Sequence, residues 1–192
     1  SNYTETIFVF SYSNKIVPTV SVEICNKMRG NLKVLMIVYN QIQYDARVIR
    51  AAETIADLGI KVKVISCNSD IKYRNDKFES IVFLSKAKRQ WILVHFWWQC
   101  LKYVLKYRKN ISLLYVHDYY MPIIGGLYHV FTKRKWVYDA HELIFYHKKD
   151  KISYRNKFFL CLEKMFVKSA SLVVAAPYDG YMGRRTLEPG QF

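Results

Sequence analysis

Residues 32–38, LKVLMIV, are apolar throughout except for Lys33. A strand can be apolar on both faces only where both faces are covered, as they are inside a parallel sheet. The next stretch changes period. From Tyr44 to Leu58 the apolar positions Val48, Ile49, Ala52, Ile55, Ala56 and Leu58 recur at helical spacing, and Gly59 follows where a left-handed cap would end a helix. KVKVIS (61–66) then alternates and is β-branched. Strand, helix, glycine and strand in about thirty-five residues make a βαβ unit.

The alternation continues. SIVFL (80–84) reads as a strand, Lys88 to Arg108 as a long aromatic helix, and ISLLYV (111–116) as a buried strand. Pro122 to Phe131 is a short helix, KWVYD (135–139) a strand, Tyr154 to Lys168 a helix and SLVVAA (171–176) the last strand. The expected fold class is α/β, a Rossmann-like, doubly wound and mostly parallel sheet. Ligands of such sheets bind beyond the carboxyl ends of the strands. Residues 1–31 stand outside the pattern: IFVF (7–10) and TVSVEI (19–24) are strand-like, and a loosely packed extension is an equal reading. The tail 177–192 carries Gly and Pro without apolar periodicity and reads as a loop. The regular unit is expected over 32–176.

Composition narrows the function. Thirty Lys and Arg against 15 Asp and Glu leave a formal charge of +15, which favours an anionic partner: nucleic acid, an acidic bilayer or a phosphorylated substrate. With 52% hydrophobic residues, 7 Gly and 4 Pro the chain is neither collagenous nor wholly disordered. Cys25, Cys67, Cys100 and Cys161 are far apart with no C-x-x-C, so reduced thiols are expected rather than a zinc site or disulfide framework. The longest apolar run, Trp91 to Trp98, is broken by His95 and falls short of the roughly 20 residues a membrane span needs. The N-terminus lacks a signal-peptide pattern.

Three polar clusters fall at the carboxyl ends of expected strands. NQIQYDAR (40–47) follows the first; its Asp45 either N-caps the next helix or, with Arg47, meets a polar ligand at the helix N-terminus. HDYY (117–120) follows ISLLYV, and DAHE (139–142) follows KWVY. His117 and Asp118 either satisfy themselves locally or line a cleft, and Asp139 and Glu142 around His141 would be costly to bury without partners. On the cleft reading Asp45, Arg47, His117, Asp118, Asp139, His141 and Glu142 share one site. His117 is the candidate for contact with reacting groups, because a neutral imidazole exchanges a proton near pH 7. Neither G-x-G-x-x-G nor G-x-x-x-x-G-K-[ST] is present, which argues against a dehydrogenase or a P-loop NTPase. No D-x-D or ligand-spaced His/Cys set appears, so no metal is expected.

VLMIVYNQIQYDARVIRAAETIADLGIKVKVIS resembles the opening of the bacterial GT-B glycosyltransferases of family 4, with its D-x-R-V-x-R-x-A helix between two strands. LLYVHDYYMPIIGGLY resembles their strand, His-Asp pair and helix, and KWVYDAHELIF their Y-D-x-H-E segment. ASLVVAAPYDGYM resembles the segment that closes their N-terminal lobe, with Ser171 for the usual Asp and Ala176 for the usual Ser. The resemblance covers roughly residues 32–182. It implies the acceptor-side N-terminal lobe of an enzyme that moves a sugar from a nucleotide-sugar donor to a glycan or lipid-linked acceptor. The donor is held mainly by a second lobe, so a further lobe or partner subunit is expected, with no cofactor beyond the donor itself. A cytoplasmic protein, peripheral to the inner face of the membrane, is implied.

Residues 86–109, KAKRQWILVHFWWQCLKYVLKYRK, hold seven Lys and Arg and no acid. On a helical wheel His95, Gln99, Lys102, Lys106 and Lys109 share one stripe, expected to be solvated. The segment is either a core helix with that stripe outside or an interfacial element, with Lys86, Lys88, Arg89, Lys102, Lys106 and Lys109 on anionic lipid. The basic segment 148–157 extends the second reading. A nucleic-acid-binding module or a non-catalytic interaction subunit is the rival from another class; no zinc knuckle, RRM-type motif or basic zipper supports the former, and nucleic acid is not expected as the partner.

Overall fold

The structure is a computed structural model that describes residues 32–68, 73–88, 91–140 and 154–175. The strand-like segments at 7–10 and 19–24, the tail 177–192, and Arg89, His141 and Glu142 lie outside the described residues.

The first apolar run forms β1 (Lys33–Val38), followed by a 3-10 turn (Ile42–Tyr44), α1 (Ala46–Asp57) and β2 (Lys61–Cys67). Gly59 adopts φ +80° and donates its N–H to the Ala56 carbonyl at 2.8 Å, the left-handed stop expected of a glycine there. The chain continues through β3 (Glu79–Phe83), α2 (Ile92–Lys106), β4 (Leu113–His117), α3 (Pro122–Thr132), β5 (Trp136–Ala140), α4 (Tyr154–Val167) and β6 (Leu172–Ala175). The six strands form one sheet in the order β3-β2-β1-β4-β5-β6, and every neighbouring pair is parallel. The expected α/β class is therefore the observed one.

Side-chain alternation divides the core in two. Val34, Met36 and Val38 point to the face covered by α1, against Val48 and Ala52. Leu35, Ile37, Leu114, Val116 and Trp136 point to the opposite face, beneath Phe96, Cys100 and Val104 of α2 and Ile124 and Tyr128 of α3. The α3 helix lies close to its neighbours. A Cβ on Gly125 would collide with the Trp136 indole, and one on Gly126 with the Phe166 ring of α4.

One strand limit differs from expectation in a way that matters. The β4–β5 ladder pairs His117 with Asp139, so His117 lies inside β4 instead of in the loop that follows, while Asp139 lies in β5 as the strand over 135–139 requires. The exposed face of α2 also differs. Trp91 before the helix, and Val94, Trp98, Lys102 and Lys106 along it, face outward, with Lys109 just beyond its end. His95 and Gln99, expected on the solvated stripe, are half-buried against the segment after β3: His95 Nδ1 lies 2.9 Å from Ser85 Oγ, and Gln99 Nε2 donates to the Leu84 carbonyl at 3.4 Å. Polar side chains that can reach a backbone or hydroxyl partner turn inward, which leaves bulky rings outside. No described helix is long and apolar enough to cross a membrane.

Candidate functional site

The strand order reverses between β1 and β4. From β1 the chain builds outward through β2 and β3, then returns to lay β4 on the other side of β1. In sheets of this kind the loops leaving two such strands diverge, and the ligand crevice forms at that carboxyl edge. Residues 39–45 leave β1 there and residues 118–121 leave β4, so the first two sequence clusters meet at this point.

Alternation within the strands puts Tyr115 and His117 of β4 on the α1 side of the sheet, and Asp139 of β5 on the same side. These three side chains form one buried group. The Tyr115 hydroxyl donates to Asp139 Oδ2 at 2.9 Å, and the same oxygen lies 3.3 Å from His117 Nδ1. The tyrosine and imidazole rings stack with centroids 4.5 Å apart. His117 is 0% exposed and Asp139 6%. A carboxylate beside Nδ1 favours the tautomer with its proton there and the lone pair on Nε2. Asp139 thus orients both neighbours, and the arrangement can hold a proton at a defined atom.

Asp45 takes the structural role. Its carboxylate accepts from the Val48 N–H at 3.3 Å, capping α1, and it is 6% exposed. Arg47 Nε stands 4.0 Å from Asp45 Oδ1, with the side chain 41% exposed at the mouth of the crevice. Asp118 has φ +68°, a conformation Asp tolerates better than most residues, and its carbonyl accepts from the Met121 N–H at 3.0 Å. The helix that follows, α3, begins without a side-chain cap, with Pro122 in its first turn. The described candidates Asp45, Arg47, His117, Asp118 and Asp139 therefore all fall at one edge. His117 and Asp139 are in direct proximity and Asp45 pairs with Arg47. His141 and Glu142 lie outside the described residues.

Two features carry no distinct signal in the sequence. Tyr115 belongs to a buried strand run, and its place two residues before His117 puts both on one face of β4. The second is an aromatic wall beside the crevice. The Tyr120 ring packs edge-on against Tyr39 at 5.6 Å and Phe159 at 4.9 Å, while Trp97 Nε1–H donates to the Tyr120 carbonyl at 3.0 Å. Tyr119 and Tyr120 also share a hydroxyl–hydroxyl hydrogen bond. On the other side of β5, the Tyr138 hydroxyl donates to Glu163 Oε1 at 2.6 Å. Burial holds the Glu163 carboxyl above its ordinary range, against the opposing pull of Tyr138 and Lys164.

No protein-family model and no curated protein matches the chain. Solved structures do. Sucrose-phosphate synthase from Thermosynechococcus elongatus superposes with a TM-score of 0.61 at 14% identity, over 74% of this chain and 41% of that one. Anabaena HepE in complex with UDP and glucose gives 0.51 at 17% identity, over 74% of this chain and 37% of that one. Arabidopsis thaliana UGT89C1 complexed with UDP gives 0.52 at 10% identity, over 75% and 44%. The chain thus spans less than half the length of each of these proteins, and the likeness is one of fold. They are GT-B glycosyltransferases.

Proposed function

We propose that residues 32–176 are the acceptor-side lobe of a GT-B glycosyltransferase, of the family-4 type that the sequence motifs resemble. The enzyme would transfer a sugar from a nucleotide-sugar donor to a glycan or lipid-linked acceptor. The observation that carries this reading is the placement of the His117–Asp139–Tyr115 group and the 39–47 loop at the point where the strand order of a GT-B-like sheet reverses. In this proposal Arg47 and Asp118 bind acceptor hydroxyls at the crevice, with His141 and Glu142 contributing from the segment after β5. Asp139 holds the imidazole of His117 by Nδ1, and the ring accepts the acceptor's proton at Nε2. Because His117 is enclosed, residues 118–121 after β4 have to shift for that contact to form. A second lobe, in the same polypeptide or a partner subunit, would hold the donor nucleotide. The protein would work in the cytoplasm at the inner face of a membrane.

The test is transfer of labelled sugar from a panel of UDP- and GDP-sugars to glycan and lipid extracts, by the full protein and its His117→Ala and Asp45→Ala variants. Transfer that falls about a hundredfold in His117→Ala, in line with loss of a positioned acid–base group, supports the assignment. Unchanged transfer by that variant removes His117 from the chemistry, and no transfer from any nucleotide sugar defeats the glycosyltransferase reading.

A further inference from the structure

The helical layer formed by α2, α3 and α4 carries a surface that the crevice does not use. In a parallel β-α-β arrangement each helix runs back from the carboxyl edge, so α2 and α4 both begin there. Their second turns converge, with the Trp97 and Phe159 rings in edge contact at 6.1 Å. Around that junction large apolar side chains point to solvent: Trp91 is 57% exposed, Trp98 55% and Phe158 56%. Tyr154, at the start of α4, is also exposed, and Met165 continues the ridge down that helix.

The exposed charges on the described residues of α2 and α4 are positive. Lys102 Nζ sits 4.8 Å over the Trp98 ring and Lys157 Nζ 5.7 Å over the Tyr154 ring. Lys106 and Lys164 stand exposed further along the two helices. Among the described residues the exposed acids, Asp57, Asp76 and Glu79, all precede residue 80. Beyond it Asp118 and Glu163 are half-buried, the latter tied to Tyr138, and Asp139 is buried.

We propose that the outer face of α2 and α4 is a docking surface for an anionic bilayer, with Trp91, Trp98, Tyr154 and Phe158 at headgroup depth and the lysines on lipid phosphates. Exposed aromatic rings interleaved with lysine suit the interfacial region, where rings partition into the headgroup boundary and ammonium groups meet anionic lipid. A second copy of the chain is a poor occupant, because a two-fold contact would set the same positive faces against each other. The rings lie at the carboxyl-edge end of both helices, so docking brings the crevice to the membrane surface. The proposal names the surface partner of the membrane-facing reading and rests on it.

The experiment is vesicle co-sedimentation of the full chain, with phosphatidylcholine alone and with an equal mixture of phosphatidylcholine and phosphatidylglycerol, at low and high salt. The variants are Trp91→Ser/Trp98→Ser, Phe158→Ser and, as a control of equal apolar loss at the far end of α3, Phe131→Ser. All four positions are exposed, and circular dichroism confirms retained folding. The wild type should bind anionic vesicles at least about tenfold more tightly than neutral ones and lose that preference in high salt. The double tryptophan variant should bind about tenfold more weakly, with Phe131→Ser unchanged. If the wild type binds and the tryptophan and Phe158 variants bind equally well, this face is not the contact while the membrane reading stands. If the wild type binds neither vesicle, both fail. A dimer in analytical ultracentrifugation that the tryptophan variant dissociates would assign the face to a second copy and overturn the proposal.

Discussion

Replacing Asp139 by alanine tests the buried group at the centre of the site. Two groups lose an acceptor at once: the Tyr115 hydroxyl, 2.9 Å from Oδ2, and the His117 Nδ1, 3.3 Å from the same atom. Water does not readily replace the carboxylate where His117 is 0% and Asp139 6% exposed. A buried donor left without an acceptor costs about 1–3 kcal/mol, and here two donors are left so. Asp139→Ala should therefore lose about 4 kcal/mol, a large share of the 5–15 kcal/mol typical of a domain. Tyr115→Phe removes one hydrogen bond and leaves Asp139 its imidazole, so about 1–2 kcal/mol is expected. In the Asp139→Ala background Tyr115→Phe should cost almost nothing, because the hydroxyl already lacks its acceptor, giving a coupling of about 1–2 kcal/mol. Asp139→Asn should fall between, since its carbonyl oxygen can still accept from Tyr115 while its amide faces the His117 nitrogen donor to donor. Urea unfolding followed by far-ultraviolet circular dichroism measures all of these, provided the denaturant slope is shared. Additive losses, with coupling below about 0.5 kcal/mol, would refute a shared carboxylate.

Three further outcomes follow from other parts of the fold. Burial raises the Glu163 carboxyl above its ordinary 4.5, so its contribution to stability is fully present below that value and is lost as pH rises through the folded-state value. Glu163→Gln, which still accepts from Tyr138, should gain stability relative to the wild type as pH is raised from acid toward neutral, and thermal melts showing a pH-independent difference would contradict it. Gly126→Ala should destabilise by about 1–3 kcal/mol despite the better helix propensity of alanine, because the new methyl meets the Phe166 ring; chemical denaturation reads the sign. Asp45→Ala removes the cap on α1 and should cost about 1 kcal/mol, with Asp45→Asn recovering most of it in the same measurement.

The alternation of apolar runs with helical periods was legible because each period reflects a local geometry, and a parallel sheet forces strands to be apolar on both faces. Strand ends were less legible. Whether His117 belongs to strand or loop depends on how far the β4–β5 ladder runs, which is decided by the partner strand and not by the residue itself. The facing of α2 is legible only in part, since Lys102, Lys106 and Lys109 of the stripe face solvent while His95 and Gln99 do not. Its apolar arc is wider than the sheet can cover, so a helical wheel cannot tell which rings go inside. The choice fell to His95 and Gln99, which found partners after β3 and rotated Trp98 outward. Asp45 was readable as a cap from its position alone. The role of Tyr115 needed the cross-strand neighbour Asp139, which lies twenty-four residues further along the chain.

The adjacent glycines of α3 constrain more than spacing. Successive helical residues point about 100° apart around the axis, and here one notch receives the Trp136 indole from the sheet while the next receives the Phe166 ring from a flanking helix. A single notch would permit the helix to roll about its axis around one contact. Two notches filled from different directions act as a key with two teeth, admitting one rotation only, since a roll by one position would drive Ile124 or Leu127 into a slot shaped for a hydrogen atom. The helix that begins right after the Asp118 turn is thereby held at a single azimuth, and the aim of the chain as it leaves β4 is set from the far side of the sheet.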